Sequence, residues 1–285
     1  MRAPDARRRA SRHPARGQHL LRSDAIASEL VGQAGIRPDE LVFEIGPGLG
    51  RLTAPLARSA GRVIAVEIDE VFATQLRGRF HHSSNVDIVV ADALNAALPS
   101  APFRVVGNLP FGSTTQILRR LLDDTKLELT AVDVLVEWNV ARKRASPHPA
   151  NLVSLGWLPW WTFDLVRHLP ASAFEPRPSV DAGFLAIRPR ATPLLREDQR
   201  AAYRAMLARA FRKANVPVTR ALVGTGFRTR AIAACVRDRG FSANVGPTDL
   251  DVYDWVALFA AAQPAGAQKN SSAMPSGSRK LRSEP

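Results

Sequence analysis

Three stretches bring together residue types that chemistry uses. In "FEIGPGLG" (43–50), Gly46, Gly48 and Gly50 follow an apolar run and precede an amphipathic one. Without side chains they let the backbone come close to a ligand. The next apolar run ends on Glu67 in "AVEIDE" (65–70). A carboxylate about twenty residues beyond such a loop can accept both hydroxyls of a ribose. The third stretch is "VVGNLPFGST" (105–114), where Asn108, Leu109, Pro110 and Phe111 stand side by side at a strand tip.

The glycine spacing is G-x-G-x-G with Pro47 inside, not the G-x-G-x-x-G of a dinucleotide site. Two cofactors fit a ribose-binding acid: a dinucleotide, or S-adenosylmethionine, which has no pyrophosphate. A tight strand-to-helix turn with no ligand is the plainer reading of the loop. Asp92, in "VVADAL" (89–94), can accept from the amine of a bound adenine, or can cap a helix.

Asn108 offers a side-chain acceptor. Pro110 biases Leu109 toward an extended backbone, which can turn the Leu109 carbonyl toward a pocket. Two acceptors can hold the two N–H groups of an aromatic amine, and Phe111 gives its ring a face to stack on. The amine's lone pair is delocalised, so holding its protons and favouring a pyramidal nitrogen frees that pair for attack on an electrophilic methyl. Catalysis is then mainly positioning, with no covalent intermediate. The plainer reading is a proline turn whose phenylalanine packs in the core.

The elements that must carry these residues alternate. Strand-like runs fall at 41–46, 62–68, 86–92, 103–108 and 131–138, with two more at 160–169 and 181–188. Helical patterns cover 50–59, 69–80 and 114–124. Such alternation argues for a mostly parallel sheet covered on both faces. Helical patterns return at 196–214, 228–240 and 247–262, with Thr248 and Asp251 spaced as a capping box. The expected organisation is a basic arm (1–16) and an α/β domain (17–190), then a small all-helical domain (191–263) and a tail (264–285). The arm and tail are expected to be disordered.

The 285 residues carry a formal charge of +13, mostly from arginine. That excess favours a polyanion partner, nucleic acid first. Arg142, Lys143 and Arg144, with the arm before Gly17, are the candidate phosphate contacts; their plainer reading is a solvated helix face. One cysteine excludes an intrachain disulfide. No run is long enough to span a bilayer and no secretory signal opens the chain, so a cytoplasmic protein is expected, with no metal centre.

The order and spacing of "GQHLL" (17–21), "FEIGPGLG", "VEID" (66–69), "AD" (91–92), "GNLPFGST" (107–114) and "FEPRPSVDAG" (174–183) resemble the rRNA adenine N6-methyltransferases. That family includes the macrolide-resistance Erm enzymes and the small-subunit rRNA dimethyltransferases. The resemblance implies a Rossmann-like, S-adenosylmethionine-dependent domain on a seven-stranded sheet with one antiparallel strand, followed by a helical domain that helps to bind RNA.

Carried over to this chain, the family's sites imply that Gln18, His19, Leu20 and Leu21 close over the cofactor. Gly46, Gly48 and Gly50 bracket it, Glu67 and Ile68 meet its ribose, and Asp92 and Ala93 hold its adenine. Asn108, Leu109, Pro110 and Phe111 form the reacting end, and Phe174 joins the base pocket. Two departures stand out: His19 replaces the usual asparagine of "QNF", and Phe111 the commoner tyrosine.

"EWNVARKRAS" (137–146), "PWWTFDLVRHLP" (159–170) and the short helical tail look more like Erm enzymes. The Erm reading implies a monomer that methylates one adenine of 23S rRNA at the macrolide site before ribosome assembly. It implies resistance to macrolides, lincosamides and streptogramin B. The competing readings are the same chemistry on 16S rRNA, a non-catalytic RNA-binding or transcription-associated protein, and a nucleotide-dependent oxidoreductase.

Overall fold

The computed structural model describes residues 19–146, 151–224 and 226–263. The arm, the tail and Gln18 lie outside the described residues. Nine strands run in chain order: β1 (Leu20–Leu21), β2 (Leu41–Ile45), β3 (Arg62–Glu67), β4 (Val86–Val90), β5 (Phe103–Asn108), β6 (Leu129–Glu137), β7 (Trp161–Leu169), β8 (Phe174–Glu175) and β9 (Ala182–Pro189). Seven form one sheet in the order β4-β3-β2-β5-β6-β9-β7. Strands β2 to β6 pair in parallel, while β9 runs antiparallel to both β6 and β7. The expected single antiparallel strand is therefore β9. β1 and β8 make a separate antiparallel ribbon, pairing Leu20 with Glu175 and Leu21 with Phe174.

The central strands are near-continuous apolar runs because helices cover both faces of a parallel sheet. Val42, Phe43, Val63, Val105, Val106 and Leu135 are all buried. The helix Thr114–Leu122 shows how the covering layer is held. Thr114, Ile117, Leu118, Leu121 and Leu122 face inward, while Arg119 is exposed. Each large apolar side chain so buried contributes about 1.5–3 kcal/mol.

The edge of the sheet where the parallel strands begin is fixed by charge. Buried Arg104 on β5 binds Glu40 through Nε (2.7 Å) and Asp133 on β6 through Nη1 (2.7 Å). Arg188 on β9 takes the other Asp133 oxygen at 2.6 Å. This network spans three neighbouring strands and leaves the opposite, carboxyl ends of β2 to β6 for ligand chemistry. The order reverses direction at β2, the usual place for a ligand crevice in an open parallel sheet.

Cα packing divides the chain into two compact units, Met1–Pro149 with Trp157–Glu197, and Ala150–Gly156 with Asp198–Pro285. The boundary therefore lies six residues or so beyond 191, and the short helix Leu152–Leu155 goes with the second unit instead of the first. Within that second unit, Arg204 Nε donates to the Gly156 carbonyl at 3.2 Å, which ties this helix to Arg200–Phe211. Thr248 and Asp251 do not form a capping box. Asp251 itself is the N-cap of the helix Val252–Ala262, and it exchanges bonds with Asp254 (2.8 and 3.1 Å). A 3-10 turn at Pro247–Asp249 precedes it, so the helix starts later than the sequence pattern suggests.

Candidate active site

A cleft opens at the carboxyl ends of β2, β3, β4 and β5. Its lining includes His19 and Leu20 from the ribbon, Gly46 and Gly48 from the loop after β2, Glu67 and Ile68 after β3, Asp92 and Ala93 after β4, and Asn108 to Phe111 after β5. Gly46 has a positive φ of 67°, and a Cβ built on it would lie 3.4 Å from the Asn108 carbonyl oxygen. The glycine loop and the end of β5 are thus in direct contact. At Gly48, φ is 55° and a Cβ would strike Leu20 Cδ2 at 2.5 Å. A side chain there meets both backbone strain and a steric clash.

Glu67 is 1% exposed. Its Oε2 accepts the Gly48 N–H at 2.9 Å and its Oε1 accepts the Asp69 N–H at 3.0 Å. One acid therefore fixes the glycine loop and its own strand end, and each oxygen keeps a second lone pair. Asp92 does not cap a helix. Its Oδ1 accepts the Leu94 N–H (2.9 Å) and its Oδ2 accepts from Asn95 Nδ2 (3.2 Å), which folds residues 92–95 into a turn at the cleft wall. Arg120 donates to the carbonyls of Ala93 and Ala96 and holds that turn against the helix Thr114–Leu122.

Asn108 Nδ2 donates to the His19 carbonyl at 2.5 Å, which leaves its Oδ1 as the available acceptor. The Leu109 N–H donates to Leu135 on β6 at 3.0 Å. Among the described residues nothing donates to the Leu109 carbonyl. The Pro110 carbonyl accepts from the Ser113 N–H (3.0 Å) and from Thr114 Oγ1 (3.1 Å), which sets the turn. The Phe111 ring lies 5.5 Å from the His19 ring, tilted by 42°.

Four sequence expectations are corrected. Leu21 is buried in the core, and Leu20 lines the cleft instead; neighbours on a strand point to opposite faces. Gly50 (φ 76°) faces Leu76 and Phe80, each 2.8 Å from where its Cβ would lie, so it packs the loop against the helix Glu70–Arg79 and not against a ligand. Phe174 is 0% exposed within the core cluster and forms no part of the cleft lining. Arg144 is 8% exposed and lies over the Trp157 ring at 5.2 Å, whereas Arg142 and Lys143 on the same helix, Trp138–Ala145, are exposed. Burial, with Arg119 nearby, lowers the Arg144 pKa to about 10. A phosphate role for Arg144 is therefore withdrawn.

The sequence reading missed the apolar Ile45, Val66, Ala91, Leu94 and Ile117 in the lining, and the polar Ser113. The apolar ones supply wall, and nothing in their spacing marks any of them out. Glu44, the penultimate residue of β2, is 0% exposed, and Thr53 is the polar residue beside its carboxyl. Burial, helped by the Glu67 charge and offset only in part by Thr53, pushes its carboxyl up to about 8.

The donor set suits S-adenosylmethionine. Among the described residues two carboxylates and no lysine or arginine line the cleft, which favours a cationic sulfonium over a pyrophosphate. Ile68, 60% exposed at the rim, offers apolar surface that a flat ring would cover.

Residues 9–246 match the family model described as "Ribosomal RNA adenine dimethylase". The chain is 37% identical over 195 residues to an rRNA adenine N-6-methyltransferase of Corynebacterium diphtheriae, covering 68% of this chain and 76% of that one. It is 30% identical over 243 residues to the mycinamicin-resistance protein MyrB of Micromonospora griseorubida, covering 85% and 76%. Among solved structures it resembles the 23S rRNA methyltransferase ErmE, with a TM-score of 0.76, 27% identity, and coverage of 85% of this chain and 99% of that one. With a methyltransferase sheet, an acid-lined cleft and "NLPF" at the tip of β5, the chain belongs to the ribosomal RNA adenine dimethylase family of adenine N6-methyltransferases.

Proposed function

We propose that the chain methylates N6 of one adenine in 23S rRNA at the macrolide site and so confers resistance to macrolides, lincosamides and streptogramin B. The observation that carries the chemistry is the Asn108 amide, tied through Nδ2 to the His19 carbonyl, which leaves Oδ1 as an acceptor beside a Leu109 carbonyl that accepts no hydrogen bond among the described residues. These two acceptors take the two N–H groups of the target amine, and Phe111 stacks on its ring. The amine's lone pair is then held for in-line attack. When bound, S-adenosylmethionine supplies the electrophilic methyl, with the C–S electron pair staying on sulfur. Glu67 holds its ribose hydroxyls, Asp92 and Ala93 its adenine, and Gly46 and Gly48 allow the backbone to approach. His19 and Leu20 close over it.

The 23S target is supported by the likeness to MyrB and ErmE. A base inside a duplex cannot reach the cleft, so the adenine must be unpaired or turned out of its stack. Naked rRNA, acted on in the cytoplasm by a monomer before ribosome assembly, meets that need. Exposed Arg142 and Lys143 contact phosphate, together with the arm before Gly17. Among the described residues no helix is long and apolar enough to cross a membrane. Primer extension on 23S and 16S rRNA from expressing cells tests the assignment. A new stop in 23S is expected, and a stop only in 16S would overturn it.

A further inference from the structure

Phe111 is not the only aromatic ring at the carboxyl edge of the sheet. Of the five tryptophans, Trp157, Trp160, Trp161 and Trp255 are buried, while Trp138 is half-buried. Trp138 opens the helix Trp138–Ala145 directly after β6. β6 runs parallel to β5, so both strands end at the same edge, and the Leu109 N–H donates to the Leu135 carbonyl at 3.0 Å. Trp138 stands three residues beyond Leu135, about 10 Å at the rise of a strand.

Its position is fixed from several sides. The Trp138 N–H donates to the Asp181 carbonyl at 2.9 Å. The indole meets the His168 ring at 4.4 Å, with the planes crossing at 62°. His168 Nε2 lies 2.8 Å from Asp181 Oδ2, and Asp181 Oδ1 accepts the Ala171 N–H at 2.8 Å. A Cβ at Gly183 would lie 3.3 Å from Trp138 Cε3, so covering β9 is the plainer role of the ring. That role does not account for the part left open to solvent, or for its neighbours. Exposed Arg142 follows at i+4 on the same helix and shares its face, with exposed Lys143 beside it. An aromatic face beside a phosphate-binding cation is how proteins hold unpaired nucleotides.

We propose that Trp138 stacks on the base next to the target adenine while Arg142 holds the phosphate of that nucleotide; this rests on the RNA-methylating role given above. Turning the adenine into the cleft unstacks its neighbour. An indole already fixed about 10 Å from the Leu109–Leu135 bond replaces the lost stacking. Every base has a π-face, so the contact tolerates sequence and positions the strand without reading it.

A hairpin RNA carrying the macrolide-site sequence of 23S rRNA tests this with the full chain. W138A should weaken binding of the intact hairpin about fivefold to a hundredfold. The loss should vanish when one of the two nucleotides flanking the target adenine is made abasic, because the ring then has no base to stack on; a packing defect would weaken every hairpin equally. W138F keeps a stacking face, so its affinity should stay within about threefold of wild type. It should also lose the quenching of tryptophan fluorescence that the intact hairpin causes in the wild type. A W138A loss equal on the intact and both abasic hairpins, or no loss at all, overturns the stacking contact and leaves the proposed function standing. Should W138A fail to fold, quenching that persists in W138F overturns the contact. No methylated adenine in this hairpin from the wild-type chain overturns the proposed function and the contact with it.

Discussion

Asn108 and His19 are 89 residues apart in sequence and joined by a 2.5 Å bond from the side-chain amide of one to the backbone carbonyl of the other. That bond decides which end of the amide faces the target. Replacing Asn108 with alanine removes the outward acceptor and leaves the backbone in place. Methyl transfer should fall by at least about a hundredfold. RNA affinity should stay within about threefold, because phosphate contacts lie elsewhere. Filter binding beside single-turnover assays reads both; biological function surviving the change would favour a non-catalytic RNA binder.

Glu67 joins the candidate cofactor site to the loop that frames it. In E67A the Gly48 and Asp69 N–H groups lose their acceptor, at a cost of about 1–3 kcal/mol for each group left buried. S-adenosylhomocysteine binding, followed by calorimetry, should weaken by at least about tenfold. Unchanged affinity would remove Glu67 from the site.

Glu44 makes stability depend on pH. Its carboxyl is pushed up to about 8 from an ordinary 4.5 by burial. The folded chain thus holds a proton that the unfolded chain releases. The stabilisation is complete below 4.5 and is lost as pH rises toward 8, at up to about 1.4 kcal/mol per pH unit. E44Q cannot ionise. Its denaturation midpoint relative to wild type should therefore climb between pH 5 and 8, whereas a constant offset would contradict the assignment.

The charge cluster on the helix Trp138–Ala145 divides in two. R142A/K143A should weaken RNA binding and flatten its salt dependence by about one to two units of log–log slope, with Tm little changed. R144A should lower Tm instead, since it removes the guanidinium that packs over Trp157. Equal effects on RNA binding from both variants would return Arg144 to the interface.

Much of this was legible from sequence because the candidate site sits at strand ends. Glu67 ends β3, Asn108 ends β5, and the glycine loop follows β2, so period and spacing alone bring them to one edge of the sheet. Leu21 and Phe174 were misread because a two-residue ribbon is too short to show alternation; only the pairing of Leu21 with Phe174 reveals which side faces the core. Gly50 looked like its two neighbours in sequence, yet its role depends on Leu76 and Phe80, which arrive from a later helix. Arg144 is buried by Trp157, a partner beyond the reach of any local pattern. The His19 ring is held 2.8 Å from the carbonyl of Pro176, 157 residues away.

The most direct test is nucleoside mass spectrometry of 23S RNA methylated in vitro by the full chain with S-adenosylmethionine, with the modified position mapped. N6-methylated adenine at a single site in the macrolide-binding region is the expected result. Methylated adenine found only with 16S RNA as substrate, or none with either, would contradict the account.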